Sequence, residues 1–195
     1  MGFVNTFVQY NSSFNMKKEE KTLVILVHPD IEKSVINKRW VEELQKYPDQ
    51  YNIHNLYKAY PDEKLDIERE QMLIEAFDKI VFQFPFYWFS APPLLKKWLD
   101  DVLVYGWAYG SKSGYKFAEK KVALAISVGI DEEEYSEAGI YSYTLKELTT
   151  PFELTFKYIK ADYKPLYAYY GIERNASPEW IEKSIPTYIE FLEKM

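Results

Sequence analysis

Two short runs, "TLVILV" (Thr22 to Val27) and "KVALAIS" (Lys121 to Ser127), constrain this chain more than any other feature. Neither alternates apolar with polar residues, so neither suits a sheet with one wet face; both are expected to be buried on two sides. Helical spacing surrounds them. From Ser34, apolar residues recur at Ile36, Trp40, Leu44 and Tyr47. The last stretch carries Trp180, Ile181, Ser184, Ile185, Tyr188, Ile189 and Leu192 on one face, with Pro186 as a kink. Tyr51 to Leu56, Lys79 to Phe84 and Pro165 to Tyr170 supply three more strands, and Asp66 to Phe77 and Pro92 to Val104 two more helices. A further helical segment runs from Tyr143 to Ile159. There Pro151 either kinks one helix or starts a second, with Thr150 and Glu153 as a capping box.

Strands alternating with helices imply a parallel sheet covered on both faces. Five strands fit the flavodoxin-like order 2-1-3-4-5, a three-layer α/β sandwich whose ligand lies beyond the strand C-termini at the switch point. The chain of 195 residues suits one domain, read as residues 22–195 behind an extension of residues 1–21. The switch-point rule selects the loops after strands 1, 3 and 4: "HPDIEKSVIN", "PFYWFSAPP" and "SVGIDEEEY".

Composition removes several classes of function. There are no cysteines, hence no disulfide, thiol nucleophile or cysteine-ligated cluster, which suits a reducing cytoplasm. With His28 and His54 as the only histidines, a histidine-rich zinc centre is excluded and no metal site is expected. The net charge of -6, with no basic stripe, argues against nucleic acid. No apolar run approaches the ~20 residues of a membrane span.

The three loops carry the chemistry. Ser34 stands where a helix begins, and free amides there attract an anion; Ser34 and Asn37 add side-chain donors, and His28 approaches from the strand end. An N-cap serine on an ordinary helix explains the same residues. Pro85, Phe86, Tyr87, Trp88 and Phe89 place large rings in a strand-to-helix turn, where packing gains least. Such rings would wall a flat ligand while backbone groups reach its edge; a loop packed on the sheet or at a dimer interface is the competing reading. In Ser127-Val128-Gly129, the glycine permits close backbone approach, and Tyr135 can donate to charge developing on a ligand. Tyr105 to Tyr115, "YGWAYGSKSGY", reads as an aromatic lip. Neither GxGxxG nor a P-loop is present, which weakens dinucleotide-binding and triphosphatase readings.

"HPDIEKSVIN", "FQFPFYWFSAPPLLKKWLDDVL" and "YGWAYG" together resemble the NAD(P)H quinone reductase family of flavodoxin-like flavoproteins. Within it, the likeness runs to bacterial general-stress flavoproteins and to ancillary subunits of glutathione-gated potassium efflux systems. It covers about Thr22 to Leu192. The resemblance implies a bound flavin, NADPH or NADH as hydride donor, and ping-pong two-electron reduction of a quinone, with nitroaromatics or azo compounds as further acceptors. FMN is preferred to FAD because little chain follows the last helix to build an adenine site.

By motif, His28, Ser34, Val35 and Asn37 would hold the phosphate and ribityl end. Pro85, Phe86, Tyr87, Trp88 and Phe89 would line the isoalloxazine, and Ser127, Val128 and Gly129 its pyrimidine side. Tyr135, with Tyr141, would stabilise negative charge on the reduced ring. Trp88, Phe89 and Tyr109 would form the substrate pocket, Tyr109 from the other subunit of a homodimer. Two departures stand out. "SVGID" replaces a Thr-Thr-Gly-Gly type run, and Tyr141 stands near where mammalian relatives carry a histidine. The resemblance also implies two alternatives: a regulatory flavoprotein peripheral to the membrane through a potassium efflux transporter, or a flavodoxin-type electron carrier.

Overall fold

The computed structural model describes residues 19–112 and 114–195. The greater part of the expected extension, residues 1–18, lies outside that description. Strands β1 (Glu19–Leu26), β2 (Tyr51–Asn55), β3 (Phe77–Pro85) and β4 (Lys121–Ser127) alternate with helices α1 (Ile36–Leu44), α2 (Leu56–Ala59), α3 (Ile67–Ala76) and α4 (Pro93–Val102). Then come α5 (Leu145–Leu148), α6 (Thr150–Tyr158), β5 (Asp162–Tyr163), β6 (Tyr167–Tyr169), α7 (Ile172–Asn175) and α8 (Pro178–Glu193). The sheet is parallel throughout, in the order β2-β1-β3-β4-β5, with β6 also on β4. This is the expected flavodoxin-like topology.

The unbroken apolar runs follow from burial on two sides. Leu23, Ile25, Ile80, Phe82, Val122 and Leu124 face one layer, where Ile74, Leu95, Trp98 and Phe156 cover them. Val24, Val81, Ala123 and Ala125 face the other, against Ile36, Trp40, Leu44, Tyr188 and Leu192. The two alanines of β4 leave room for the Trp40 and Tyr188 rings, stacked with centroids 4.4 Å apart. Ser184 accepts the Trp40 indole N–H at 2.9 Å, so the buried ring keeps its one donor satisfied.

On the opposite layer, Glu70 is fully buried. It accepts Tyr60 OH at 2.6 Å and Trp98 Nε1–H at 2.8 Å, and His54 Nε2 lies 2.8 Å from it. Burial pushes the Glu70 pKa up, but the bonds from His54, Tyr60 and Trp98 outweigh it and the net shift is downward. One carboxylate thereby ties β2, α3 and α4 together.

Two expectations need correction. The fifth strand is not one run over Pro165 to Tyr170: it is split into β5 and β6. Lys164 N still donates to Val122 O at 2.8 Å, and the ladder breaks at Pro165–Leu166, where proline has no N–H. The capping box is Thr144 with Glu147, at the start of α5. Thr150 is instead already the first residue of α6, its Oγ1 donating back to Lys146 O at 3.1 Å, and Thr149 precedes it with no side-chain capping bond. Pro186 lies inside α8, which continues through it.

Candidate active site

The loops after β1, β3 and β4 meet at the C-terminal edge of the sheet, as the strand order requires. After β1 the chain makes a 3-10 turn, Ile31–Lys33, before α1. Asp30 N–H donates to His28 Nδ1 at 3.1 Å, which makes Nδ1 the acceptor and leaves the proton of the neutral ring on Nε2. Burial holds the His28 pKa below its ordinary value, against the opposing pull of Asp30, so the ring is a neutral donor. Ser34 Oγ accepts Asn37 N–H at 3.1 Å in the first turn of α1.

Asn37 itself lies beneath this corner, 1% exposed. Its Nδ2 donates to Ser127 Oγ at 2.8 Å. Gln83 Nε2 donates to Asn37 O at 3.1 Å, and Tyr188 OH donates to Gln83 Oε1 at 2.7 Å. A buried polar chain therefore runs from α8 through β3 to the ends of α1 and β4.

The aromatic loop starts where β3 ends at Pro85. Phe86 N–H donates to Ser127 O at 2.9 Å, and Ser90 N–H closes the turn on Tyr87 O at 2.9 Å. Trp88 (φ 48°) and Phe89 (φ 59°) both occupy the left-handed region that bulky residues avoid. Trp88 is 93% exposed. Strained backbone of this kind costs of order 1–3 kcal/mol per residue and clusters at functional sites.

Tyr135 enters from the β4 loop, buried among Tyr141 (centroids 4.9 Å), Tyr170 (5.9 Å) and Phe86 (6.2 Å). Burial first, then Tyr141 and Glu173, push its pKa up to about 12, so its hydroxyl stays protonated at neutral pH. Tyr141 also stands edge-on to Phe89, at 5.0 Å.

These groups enclose two adjoining hollows. One, of about 450 Å³, is lined by His28, Ser34, Val35, Pro85 and Ser127. The other, of about 460 Å³, is walled by Trp88, Phe89, Ile130, Tyr135 and Tyr141. Phe86, Tyr87, Gly129 and Glu173 border both. A polar corner thus opens into an aromatic slot, a shape for a flat ring carrying an anionic tail. A larger hollow of about 640 Å³ between α1 and β2, and one of about 360 Å³ at the sheet edge by Tyr163, lack that combination. Among the described residues no acidic or histidine cluster could hold a metal ion, and no helix is long and apolar enough to cross a membrane.

The structure brings together His28, Ser34, Val35, Pro85, Phe86, Tyr87, Trp88, Phe89, Ser127, Gly129, Tyr135 and Tyr141. It does not bring Asn37 or Val128 to the surface of the cavity. Val128 is fully buried, its N–H donating to Tyr169 O at 2.9 Å. Tyr109 lies off the cavity, packed on Tyr105 (5.9 Å) and Tyr158 (5.5 Å). Sequence reasoning missed Ile172 and Glu173, supplied by the turn after β6. The one available signal was Gly171, whose φ of 87° reverses the chain just beyond the fifth strand.

A parallel sheet in this order with a ring-and-anion site at its switch point defines a flavodoxin-like protein. Residues 20–192 match the family described as flavodoxin-like fold, and the chain belongs to it. A Bacillus subtilis protein named as an uncharacterized NAD(P)H oxidoreductase, YrkL, is 44% identical over 88% of this chain and 97% of its own. The potassium-efflux system ancillary protein KefG of Yersinia pestis is 33% identical over 91% and 96%. Among solved structures, general stress protein 14 of Treponema denticola in complex with FMN is 43% identical, with a TM-score of 0.84 over 89% of this chain and 98% of that one. A protein of P. pentosaceus described as an NADPH-quinone reductase is 26% identical, with a TM-score of 0.78 over 88% and 97%.

Proposed function

We propose that the chain is an FMN-dependent NAD(P)H oxidoreductase that reduces quinone-type acceptors by two electrons. The observation that carries this is the continuity of the anion corner with the aromatic slot at the switch point. The residues present fit the cofactor. Neutral His28, Ser34 and the first amides of α1 form a donor set for a phosphate, and the rings from Phe86 to Phe89 suit a flat heterocycle. FAD is the alternative cofactor. Bound FMN supplies the relay of a hydride from reduced nicotinamide to the acceptor.

The chain's own part is to bind, orient and shield. The Asn37–Ser127 bond fixes the floor below the phosphate corner. Trp88 and Phe89 border the slot beside the flavin ring, on which both hydride partners would stack in turn, as a ping-pong scheme requires. Protonated Tyr135 donates toward negative charge that develops in the slot, with Tyr141 packed on it. Exposed Tyr105 and Tyr158 flank Tyr109, and Leu154 is exposed nearby on α6. A second copy covering this patch would form a homodimer and bring its Tyr109 to the slot. The cytoplasm, where reduced nicotinamides are abundant, is the compartment this reading implies.

A second reading, a regulatory flavoprotein on a potassium efflux transporter, is favoured by the KefG likeness alone. The test is the visible spectrum of the purified protein, followed by NADPH or NADH with and without menadione. A yellow protein bleached by the nicotinamide and recoloured by the quinone supports the enzyme. A yellow protein inert to both supports the regulator, and a colourless one that takes up neither FMN nor FAD defeats both.

A further inference from the structure

The aromatic half of the cavity contains one carboxylate, Glu173, and no lysine, arginine or histidine. Glu173 sits in the short α7 after the Gly171 turn. Its main-chain N–H donates to Gly129 O at 2.9 Å, so its backbone position does not depend on its side chain. The carboxylate lies against the open face of Gly129: Oε1 is 2.6 Å from where a Cβ on that glycine would stand. Glu173 borders both halves of the cavity, at their junction.

Among the described residues no cation forms an ion pair with Glu173. Arg174 is turned to Asp131 at 2.6 Å, with Glu134 at 3.9 Å, and borders neither half. Lys33 lies at the far, polar end and pairs with Asp30 at 2.7 Å. The slot is therefore apolar, aromatic and negative on one side. The charge also helps to raise the Tyr135 pKa, which places it in electrical contact with a hydroxyl suited to meet an anion there.

We propose that Glu173 is a specificity-determining residue that admits neutral or cationic flat acceptors and turns away those with a negative charge beside the ring. The proposal rests on the reading of the aromatic half as the place where the ring of a bound flavin meets the acceptor. Two like charges about 8 Å apart at a partly wet site repel enough to shift an affinity about tenfold, and added salt shrinks the effect.

The experiment compares FMN-loaded wild type with Glu173→Gln. One arm measures kcat/KM for 1,2-naphthoquinone and for its 4-sulfonate. The other measures equilibrium binding of 2-naphthol and naphthalene-2-sulfonate by tryptophan quenching, which needs no turnover. Glu173→Gln should improve both sulfonates about tenfold at low salt, leave the neutral pair within about twofold, and lose its advantage as salt rises. Equal changes in neutral and anionic ligands, or unchanged discrimination in a variant that takes up FMN like wild type, would overturn the role of Glu173 and leave the flavin reading standing. A wild type that takes up no FMN would overturn both.

Discussion

The two halves of the cavity are built on opposite physical terms. The polar corner stands on a fixed floor: Asn37, Ser127, Gln83 and Tyr188 form one buried chain of hydrogen bonds beneath it. In the aromatic slot, Trp88 and Phe89 stand in left-handed backbone, and Trp88 is almost wholly exposed. The corner is organised before any ligand arrives, so it can fix a phosphate without reordering itself. The slot holds conformational strain and uncovered apolar surface, which a flat ligand or a second subunit would relieve. On the proposed function one molecule stays while two others exchange in turn, and such a site has use for both.

The contrast can be broken from the corner. Gln83→Leu leaves the Tyr188 hydroxyl and Asn37 Oδ1, which accepts from Gln83 Nε2 at 3.3 Å, buried with a bond missing, at about 1–3 kcal/mol for each group. A loss of about 2–5 kcal/mol is expected in urea unfolding, with weaker FMN binding in parallel. Tyr135→Phe sharpens it from the slot. Flavin reduction in stopped flow should slow about tenfold or more, while FMN affinity stays near wild type. Trp88→Gly removes a positive-φ penalty, so stability should rise by up to about 1 kcal/mol while kcat/KM for quinones falls. A drop in stability would show that the loop is not strained.

The smallest effect is a pH slope. The folded pKa of His28 lies below its ordinary value of 6.5, so below 6.5 the unfolded chain binds the proton first. Stability without ligand should therefore fall as pH drops through 6.5 and level off below the folded pKa. His28→Gln should remove that part of the slope, read as urea midpoints between about pH 7.5 and 5.

Much of this arrangement was legible in the residues. The strands that matter most, β1 and β4, are continuous apolar runs, and the switch-point rule located the loops. What failed was finer. Thr144-Leu-Lys-Glu147 and Thr150-Pro-Phe-Glu153 carry the same local capping pattern, but only Thr144 caps; Thr150 is already inside α6, its hydroxyl turned back to Lys146 O. Asn37 shares a helical stripe with Trp40 and Leu44, at spacings of three and seven, and that stripe faces the sheet. Val128 continues the alternation of Leu124 and Ile126 into the core. Both were phase problems, soluble in principle from periodicity. Glu173 was not, because a glutamate in "YGIER" looks like any solvated residue until the turn at Gly171 folds it over Gly129.

The break at Pro165 bears on how the molecule behaves in a crowd. Asp162 N–H and Lys164 N–H point inward to Lys120 O and Val122 O, so the alternate positions, Tyr163 and Pro165, face outward along the open rim of the sheet. A foreign strand approaching that rim would need a donor from residue 165 and would find a pyrrolidine ring. The interruption that spoils the fifth strand as a continuous ladder also denies a template for runaway strand addition, and so favours a chain that stays dispersed at high concentration.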